Sequence, residues 1–153
     1  MFDMQDALNK QIMKEKGLKE INIDDLNLAL IDEIGELTHE LKPTWCWWKI
    51  NVGEVDNDKV LEELVDCLHF AMTKRLMIDS VDEEKASHIL DFSWRLFSST
   101  ETVSELVVKA SSIRNPLTPL LAVGFKLGYS FEDMYDEYIK KNKVNYERLK
   151  NGY

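Results

Sequence analysis

At 153 residues, the chain is long enough for one domain whose core needs no disulfides. Its hydrophobic fraction of 44% and charged fraction of 31% are those of a folded globular protein and exclude a disordered one. The net charge of −9 argues against a protein that holds a nucleic-acid polymer through its phosphates, because such a surface needs an excess of Lys and Arg.

The sequence also lacks the signals of a membrane or exported protein. No run approaches the roughly 18 apolar residues that span a bilayer, and the N-terminus has no basic segment followed by an apolar one. The cysteines, Cys46 and Cys67, form no Cys-x-x-Cys motif, so two reduced thiols are favoured over a disulfide. We therefore expect a cytoplasmic protein that contacts no membrane.

The first 43 residues have the periodicity of two amphipathic helices. Apolar residues recur every four positions over residues 2–16, and Gly17 is a natural helix end. A second run starts at a predicted N-cap, Asp24 or Asp25, and continues until Pro43 ends it. Two helices are therefore predicted here.

Acidic residues border the apolar stripe of the second helix. Glu33, Glu36 and Glu40 each precede an apolar position by one residue, which places them at the edge of the buried face. Gly35 lies between the first two and costs a helix about 1 kcal/mol relative to Ala. Close approach of another helix or of a ligand would explain a glycine at this point.

Residues 43–58 are predicted to form a loop, and they contain three of the four tryptophans, within the segment TWCWWK. Clustered indoles have two interpretations. They can cover a small hydrophobic core, or they can form a stacking wall for a planar ring. The sequence does not decide between them.

A third helix is predicted to begin at Asp58, with Glu63, Asp66 and Phe70 beside its apolar stripe. Glu62 and Asp66 form a competing acidic pair four residues apart. His69 follows the acidic residues. A lone histidine in a helix is usually a hydrogen-bonded structural residue, but beside this cluster it is also a candidate to contact the edge of a ligand.

The second half of the chain is also helical in pattern. Residues 82–114 are helix-like with a break at 98–100, Pro116 and Pro119 mark a turn, and residues 120–127 are apolar. Ser130 begins the last helix. Lys141, Asn145 and Arg148 share one face of that helix, so an acidic chain presents a basic surface suited to an anion.

No strand-like alternation occurs, so we predict an all-α fold. The expected architecture is a single domain over residues 1–153, a bundle of about five to six helices without a sheet.

Two acidic pairs, Glu33 with Glu36 and Glu63 with Asp66, form a candidate metal site. Residues three apart share a helix face, with Cβ atoms about 5–6 Å apart. Carboxylates brought together repel one another unless a cation lies between them, and a hard cation such as magnesium fits best. With 28 acidic residues in the chain, one such pair is expected by chance. Two pairs beside a tryptophan loop and a basic helix are more specific.

Four motifs in this order resemble the dimeric dUTPases of the all-α nucleotide pyrophosphatase superfamily. The matching segments are 33–36 (EIGE), 45–49 (WCWWK), 63–70 (ELVDCLHF) and 138–153 (YIKKNKVNYERLKNGY), with 5–9 (QDALN) as a further match. The terminal motif is the most specific, because a MazG-type pyrophosphatase shares the carboxylates without it. Residues 80–128 match only in being helical.

The resemblance implies a role for each matching residue. Glu33, Glu36, Glu63 and Asp66 would hold two or three Mg²⁺ ions, and Glu33, chosen over Glu36, would activate the attacking water. The base and deoxyribose would contact Gln5, Asn9, Trp45 or Trp48, His69 and Phe70. The phosphates would contact Lys49, Lys141, Asn142, Asn145, Arg148 and Tyr153.

The activity that the resemblance implies is hydrolysis of dUTP to dUMP and pyrophosphate by a homodimer, with dUDP as a second candidate substrate. Two alternatives remain at this point. One is a broader nucleotide pyrophosphatase of the MazG type with a looser base pocket. The other is a helical module that binds a metal or a partner and has no catalytic activity.

Overall fold

The computed structural model describes residues 1–112 and 114–152. Over these ranges the chain forms eight helices and no strand, which confirms the all-α class. The helices are α1 (Phe2–Lys16), α2 (Ile23–Glu40), α3 (Lys42–Trp45), α4 (Asn57–Ile78), α5 (Glu83–Phe97), α6 (Val103–Ser111), α7 (Leu117–Lys126) and α8 (Phe131–Lys150). Within the described part of the chain, no helix is both long and apolar enough to cross a membrane.

The count of eight exceeds the predicted five to six for two reasons. The break after α5 separates two full helices, because Thr102 and Glu105 form a capping box that starts α6. The short α3 lies inside the predicted tryptophan loop. Helix α2 ends at Glu40, three residues before Pro43, and Pro43 lies in the first turn of α3, where a missing N–H costs nothing.

Two helices begin at residues other than those predicted. Asn22, not Asp24 or Asp25, caps α2, because its extended backbone lets Oδ1 accept from the N–H groups of both aspartates, at 2.8 and 3.1 Å. Asp56 caps α4 in the same way, two residues before Asp58.

Pro119 does not lie in a turn, so that prediction is wrong. Pro116 is the N-cap of α7, and Pro119 is the third residue of that helix. An N–H at that position has no acceptor within the helix, so proline is tolerated there. The prediction that Ser130 begins the last helix is confirmed, since Ser130 and Asp133 form a capping box at the start of α8.

Helix α4 is the centre of the bundle. It packs against α1, α2, α7 and α8, and its Val60, Leu64, Val65 and Leu68 have no exposed surface. Helices α5 and α6 pack on α7 instead. The sites predicted from the sequence therefore come from the α1, α2, α4 and α8 side of the molecule. Cys46 and Cys67 are buried free thiols, as predicted.

Candidate functional site

Three of the four predicted metal ligands come together between α2 and α4. Ligand atoms of Glu33, Glu36 and Glu63 all lie within 4.8 Å of one another. The spacing within α2 places Glu33 and Glu36 on one face, and the packing of α4 against α2 brings Glu63 to them. The two acidic pairs of the sequence therefore meet across a helix interface.

The fourth residue, Asp66, lies beside this cluster and is bound to a lysine from α8. Lys141 Nζ donates to Asp66 Oδ2 at 2.6 Å and to Glu62 Oε1 at 2.7 Å. Lys141 thus joins the two acids that formed the competing pair in the sequence. The basic surface of α8 meets the acidic surface of α4 at this contact.

Three carboxyl groups here, those of Glu33, Glu63 and Asp66, have pKa values above the ordinary range. Burial, followed by the negative charges of Asp66 and Glu36, raises the pKa of Glu33 to about 7. Burial and the same two neighbours raise the pKa of Glu63 to about 7. Burial also raises the pKa of Asp66, in spite of the opposing effect of Lys141. Oxygen ligands that repel one another in this way fit a divalent cation, which removes the repulsion on binding.

A cleft of about 550 Å³ opens beside the carboxylates. It gathers predicted site residues of all three kinds: two acids, four base or sugar candidates, and two phosphate candidates. These are Glu33, Asp66, Gln5, Asn9, His69, Phe70, Asn145 and Arg148. Residues from four helices, α1, α2, α4 and α8, therefore line one cavity.

Sequence reasoning missed part of this lining. The apolar wall includes Leu8, Ile12 and Met13 of α1, and Thr73 adds a hydroxyl. Thr73 lies four residues after His69 on α4, so a search along that helix face would have found it. The α1 residues have only the ordinary pattern of core positions, which does not distinguish a cleft wall from a core.

A buried polar network lies under one side of the cleft. Gln5 is its centre: Nε2 donates to Asn9 Oδ1 at 3.0 Å and to Thr73 Oγ1 at 3.1 Å. Its Oε1 lies 2.7 Å from His69 Nδ1 and accepts from the hydroxyl of Tyr138 at 3.1 Å. The network ties α1 to α4 and α8.

His69 is neutral and half-satisfied in this network. Burial, followed by the positive charge of Lys141, lowers the pKa of His69 to about 4. Its ring stacks on Tyr138, with centroids 4.3 Å apart. His69 Nε2 is buried and has no hydrogen-bond partner in the described chain. Such an atom in a cleft wall is a candidate to bind a ligand.

Two predicted base contacts lie away from the cleft. Trp45 is half-buried against the core, and its Nε1 donates to the carbonyl of Thr38 at 2.8 Å. Trp48 is 55% exposed, with its ring 5.5 Å from that of Trp45. Of the two interpretations of the tryptophan loop, Trp45 follows the first and covers the core. Trp47 and Trp48 remain exposed.

Four predicted phosphate contacts are not among the residues that line the cleft, and the first is Lys141, which is bound to Asp66 and Glu62. Lys49 is exposed on the tryptophan loop. Asn142 is buried and donates to the Tyr138 hydroxyl at 3.3 Å, so it belongs to the polar network. Tyr153 lies outside the described residues.

The chain is similar to one known protein family over its full length. The model of a family described as dUTPase matches residues 1–153. No curated protein and no solved structure gives a significant match.

Proposed function

Because the chain belongs to the dUTPase family and is therefore a dUTP diphosphatase, we propose that it hydrolyses dUTP to dUMP and pyrophosphate with magnesium. This reaction would remove dUTP from the nucleotide pool. The observation that carries the proposal is the single cleft lined by Glu33, Asp66, His69 and Arg148. A carboxylate cluster, a candidate base contact and a candidate phosphate contact adjoin one another there.

The residues present fit magnesium. Glu33, Glu36 and Glu63 bring oxygen atoms within 4.8 Å, and the repulsion between carboxylates is part of what raises the pKa values of Glu33 and Glu63. Together with Asp66 they would hold two or three ions. Magnesium bound there would offset the charge of the phosphates and make a coordinated water more acidic.

Glu33 is the proposed catalytic base. Both Glu33 and Glu36 belong to the cluster, but only Glu33 also lines the cleft, while Glu36 is exposed. Glu33 would orient the attacking water and accept its proton.

The phosphates would be held from α8. Asn145 and Arg148 line the cleft, and Arg148 offers a guanidinium that binds phosphate oxygens in pairs. Lys141 lies beside them, bound to Glu62 and Asp66, and would contribute a further positive charge. Lys49, Asn142 and Tyr153 stay proposed helpers.

The base and sugar would occupy the cleft beside α1 and α4. Asn9 and His69 would contact the base edge, with Gln5 behind them, and Phe70 would stand where a ribose 2′-hydroxyl would be. Trp45 and Trp48 stay proposed base contacts, although neither lines the cleft of the single chain. A homodimer, a cytoplasmic location and a use of dUDP also belong to this proposal.

The test is the release of pyrophosphate from dUTP, dCTP, dTTP and UTP, and of inorganic phosphate from dUDP, in magnesium buffer. We expect dUTP to be the best substrate. Equal rates for the deoxynucleoside triphosphates would instead favour the broader pyrophosphatase of the MazG type.

Variants of the cluster test the metal site. Glu36→Gln and Asp66→Asn should each lower kcat by at least about 100-fold, because each would remove a ligand from the metal site. Glu40→Gln is the matched control, one turn further along α2 and outside the carboxylate cluster. Unchanged activity and magnesium binding in both cluster variants would contradict the assignment.

A further inference from the structure

We propose that the polar network under the cleft holds His69 in the tautomer that carries its proton on Nδ1, and that this tautomer makes the cleft select uracil over cytosine. Gln5, Thr73 and Tyr138 are then positioning residues for base selection. The inference rests on the proposed function for its substrate, but the tautomer itself can be measured on the free protein.

The hydrogen bonds of Gln5 determine the direction of the network. Its amide nitrogen faces two oxygen atoms, Asn9 Oδ1 at 3.0 Å and Thr73 Oγ1 at 3.1 Å, so both N–H groups have acceptors. Its Oε1 can only accept, and it lies 2.7 Å from His69 Nδ1. In this arrangement the proton is on Nδ1, and the distance is in the normal range for N–H···O.

Tyr138 reinforces the same direction. Its hydroxyl donates to Gln5 Oε1 at 3.1 Å and accepts from Asn142 Nδ2 at 3.3 Å. Tyr138 is fully buried, so burial raises the pKa of the hydroxyl and it keeps its proton. Two donors thus point at Gln5 Oε1 and two acceptors face Gln5 Nε2, and each atom of the amide is satisfied.

This arrangement leaves one acceptor and one donor for a ligand. Because the neutral ring has a single proton, His69 Nε2 is an acceptor, and it has no partner in the described chain. Asn9 uses Oδ1 inside the network, and its Nδ2 donates to no described residue. Both side chains line the cleft.

The pair of free groups matches uracil. Uracil offers a carbonyl oxygen at O4 and a donor at N3–H, which complement Asn9 Nδ2 and His69 Nε2. Cytosine has the opposite pattern, an amino group at N4 and an acceptor at N3. The donor Asn9 Nδ2 would then face a donor, and the acceptor His69 Nε2 would face an acceptor. A buried mismatch of this kind is the strongest source of discrimination between similar bases.

The tautomer decides the choice because the network can be reversed. If the amides of Gln5, Asn9 and Asn142 all rotate by 180°, the proton moves to His69 Nε2 and Asn9 presents Oδ1. That arrangement fits cytosine. Thymine has the same O4 and N3–H as uracil, so the network should not separate dUTP from dTTP.

The first measurement is long-range ¹H–¹⁵N NMR of the histidine rings in the free protein. We expect His69 Nε2 to resonate as an unprotonated nitrogen and Nδ1 as a protonated one. Exposed His39 and His88 serve as internal references, because solvent lets both tautomers exchange. The reverse pattern at His69 would overturn the inference, whatever the activity of the protein.

The second measurement uses Tyr138→Phe, which removes one donor to Gln5 Oε1 without touching the cleft. We expect the ratio of kcat/KM for dUTP over dCTP to fall roughly five- to tenfold, the factor that corresponds to one neutral hydrogen bond. The ratio for dUTP over dTTP should not change. The His69 spectrum should show a second tautomer.

Tyr129→Phe is the matched control, since it removes a tyrosine hydroxyl that donates to the carbonyl of Asn57 at 2.7 Å, outside the network. An equal fall of both ratios in Tyr138→Phe, or an unchanged dUTP to dCTP ratio, would overturn the role of the network. Failure to hydrolyse dUTP at all would contradict the proposed function. The NMR measurement on the free protein would still test the tautomer independently.

Discussion

At the scale of single residues, the most unusual feature is a group of acids whose charges are only partly compensated by the basic side chains beside them. Glu33 and Glu63 have pKa values raised to about 7, first by burial and then by the acids around them. Lys141 forms its ion pairs with Asp66 and Glu62. The metal-free protein should therefore be destabilised by its own site as these groups ionise.

Replacing Glu33 by Gln should remove that penalty. The folded protein keeps a proton on Glu33 up to about pH 7, whereas the unfolded chain releases it near pH 4.5. The contribution of Glu33 to the free energy of unfolding of the wild type therefore falls as the pH rises from 4.5 to about 7. The free energy of unfolding of Glu33→Gln relative to wild type should rise by on the order of 1–2 kcal/mol over the same window.

The measurement is urea unfolding at several pH values between 4.5 and 8, with a chelator present. His69, whose pKa is lowered to about 4, weakens folding as pH falls below about 6.5, but it is present in both proteins and cancels in the difference. Glu20→Gln, at an exposed position, is the control. Parallel curves for Glu33→Gln and wild type would contradict the raised pKa.

At the scale of helices, two glycines inside helices show how differently the same residue is used. Gly124 in α7 is buried, and an added Cβ would collide with Met134 Sδ of α8 and lie 3.1 Å from Leu64 Cδ2 of α4. Gly35 in α2 is exposed, and nothing lies within 4 Å of such a Cβ. The expectation that another helix approaches Gly35 is wrong for the described chain.

Substitution of each glycine by alanine should shift stability in opposite directions. Gly35→Ala should stabilise the protein by about 0.5–1 kcal/mol through helix propensity. Gly124→Ala gains the same propensity but overfills a buried contact, which costs about 1–3 kcal/mol, so its net effect should be destabilising. Thermal or urea unfolding of the two variants provides the comparison. Stabilisation by Gly124→Ala would show that Met134 moves aside freely.

At the scale of the whole molecule, we expect the proposed homodimer to form through the middle helices, on a part of the bundle that does not line the cleft. The cleft is lined from α1, α2, α4 and α8, whereas the middle helices α5 and α6 carry exposed apolar side chains. Phe92 is 59% exposed on α5 and Val108 is 69% exposed on α6. Such side chains favour contact with a second copy of the chain.

Charged substitutions test this surface. Phe92→Glu and Val108→Glu should each shift the protein from dimer to monomer in analytical ultracentrifugation, because an unpaired charge would be buried in the contact. Leu28→Glu is the control, since Leu28 is 65% exposed on α2, outside the middle helices. A monomeric wild type, or dissociation only in the control variant, would contradict the proposed contact.

The sequence alone is sufficient to predict the all-α fold class and the relative positions of side chains within one helix. The period of 3.6 residues places Glu33 beside Glu36, and Gly17 and Ser130 act as helix boundaries through their own backbone and side-chain chemistry. These features depend on interactions over a few residues. Where two residues that can each cap a helix lie close together, such as Asn22 and Asp24, the local sequence does not distinguish them, so the predicted cap of α2 is wrong.

Only the tertiary structure decided how the helices face one another. Lys141 lies 75 residues from Asp66, and Trp45 turns to the core rather than to the cleft. The hydrogen bond between His69 and Gln5 likewise joins residues 64 positions apart. These relations depend on the rotation of each helix about its own axis, which the packing of the buried side chains around α4 determines and which no spacing along the chain encodes.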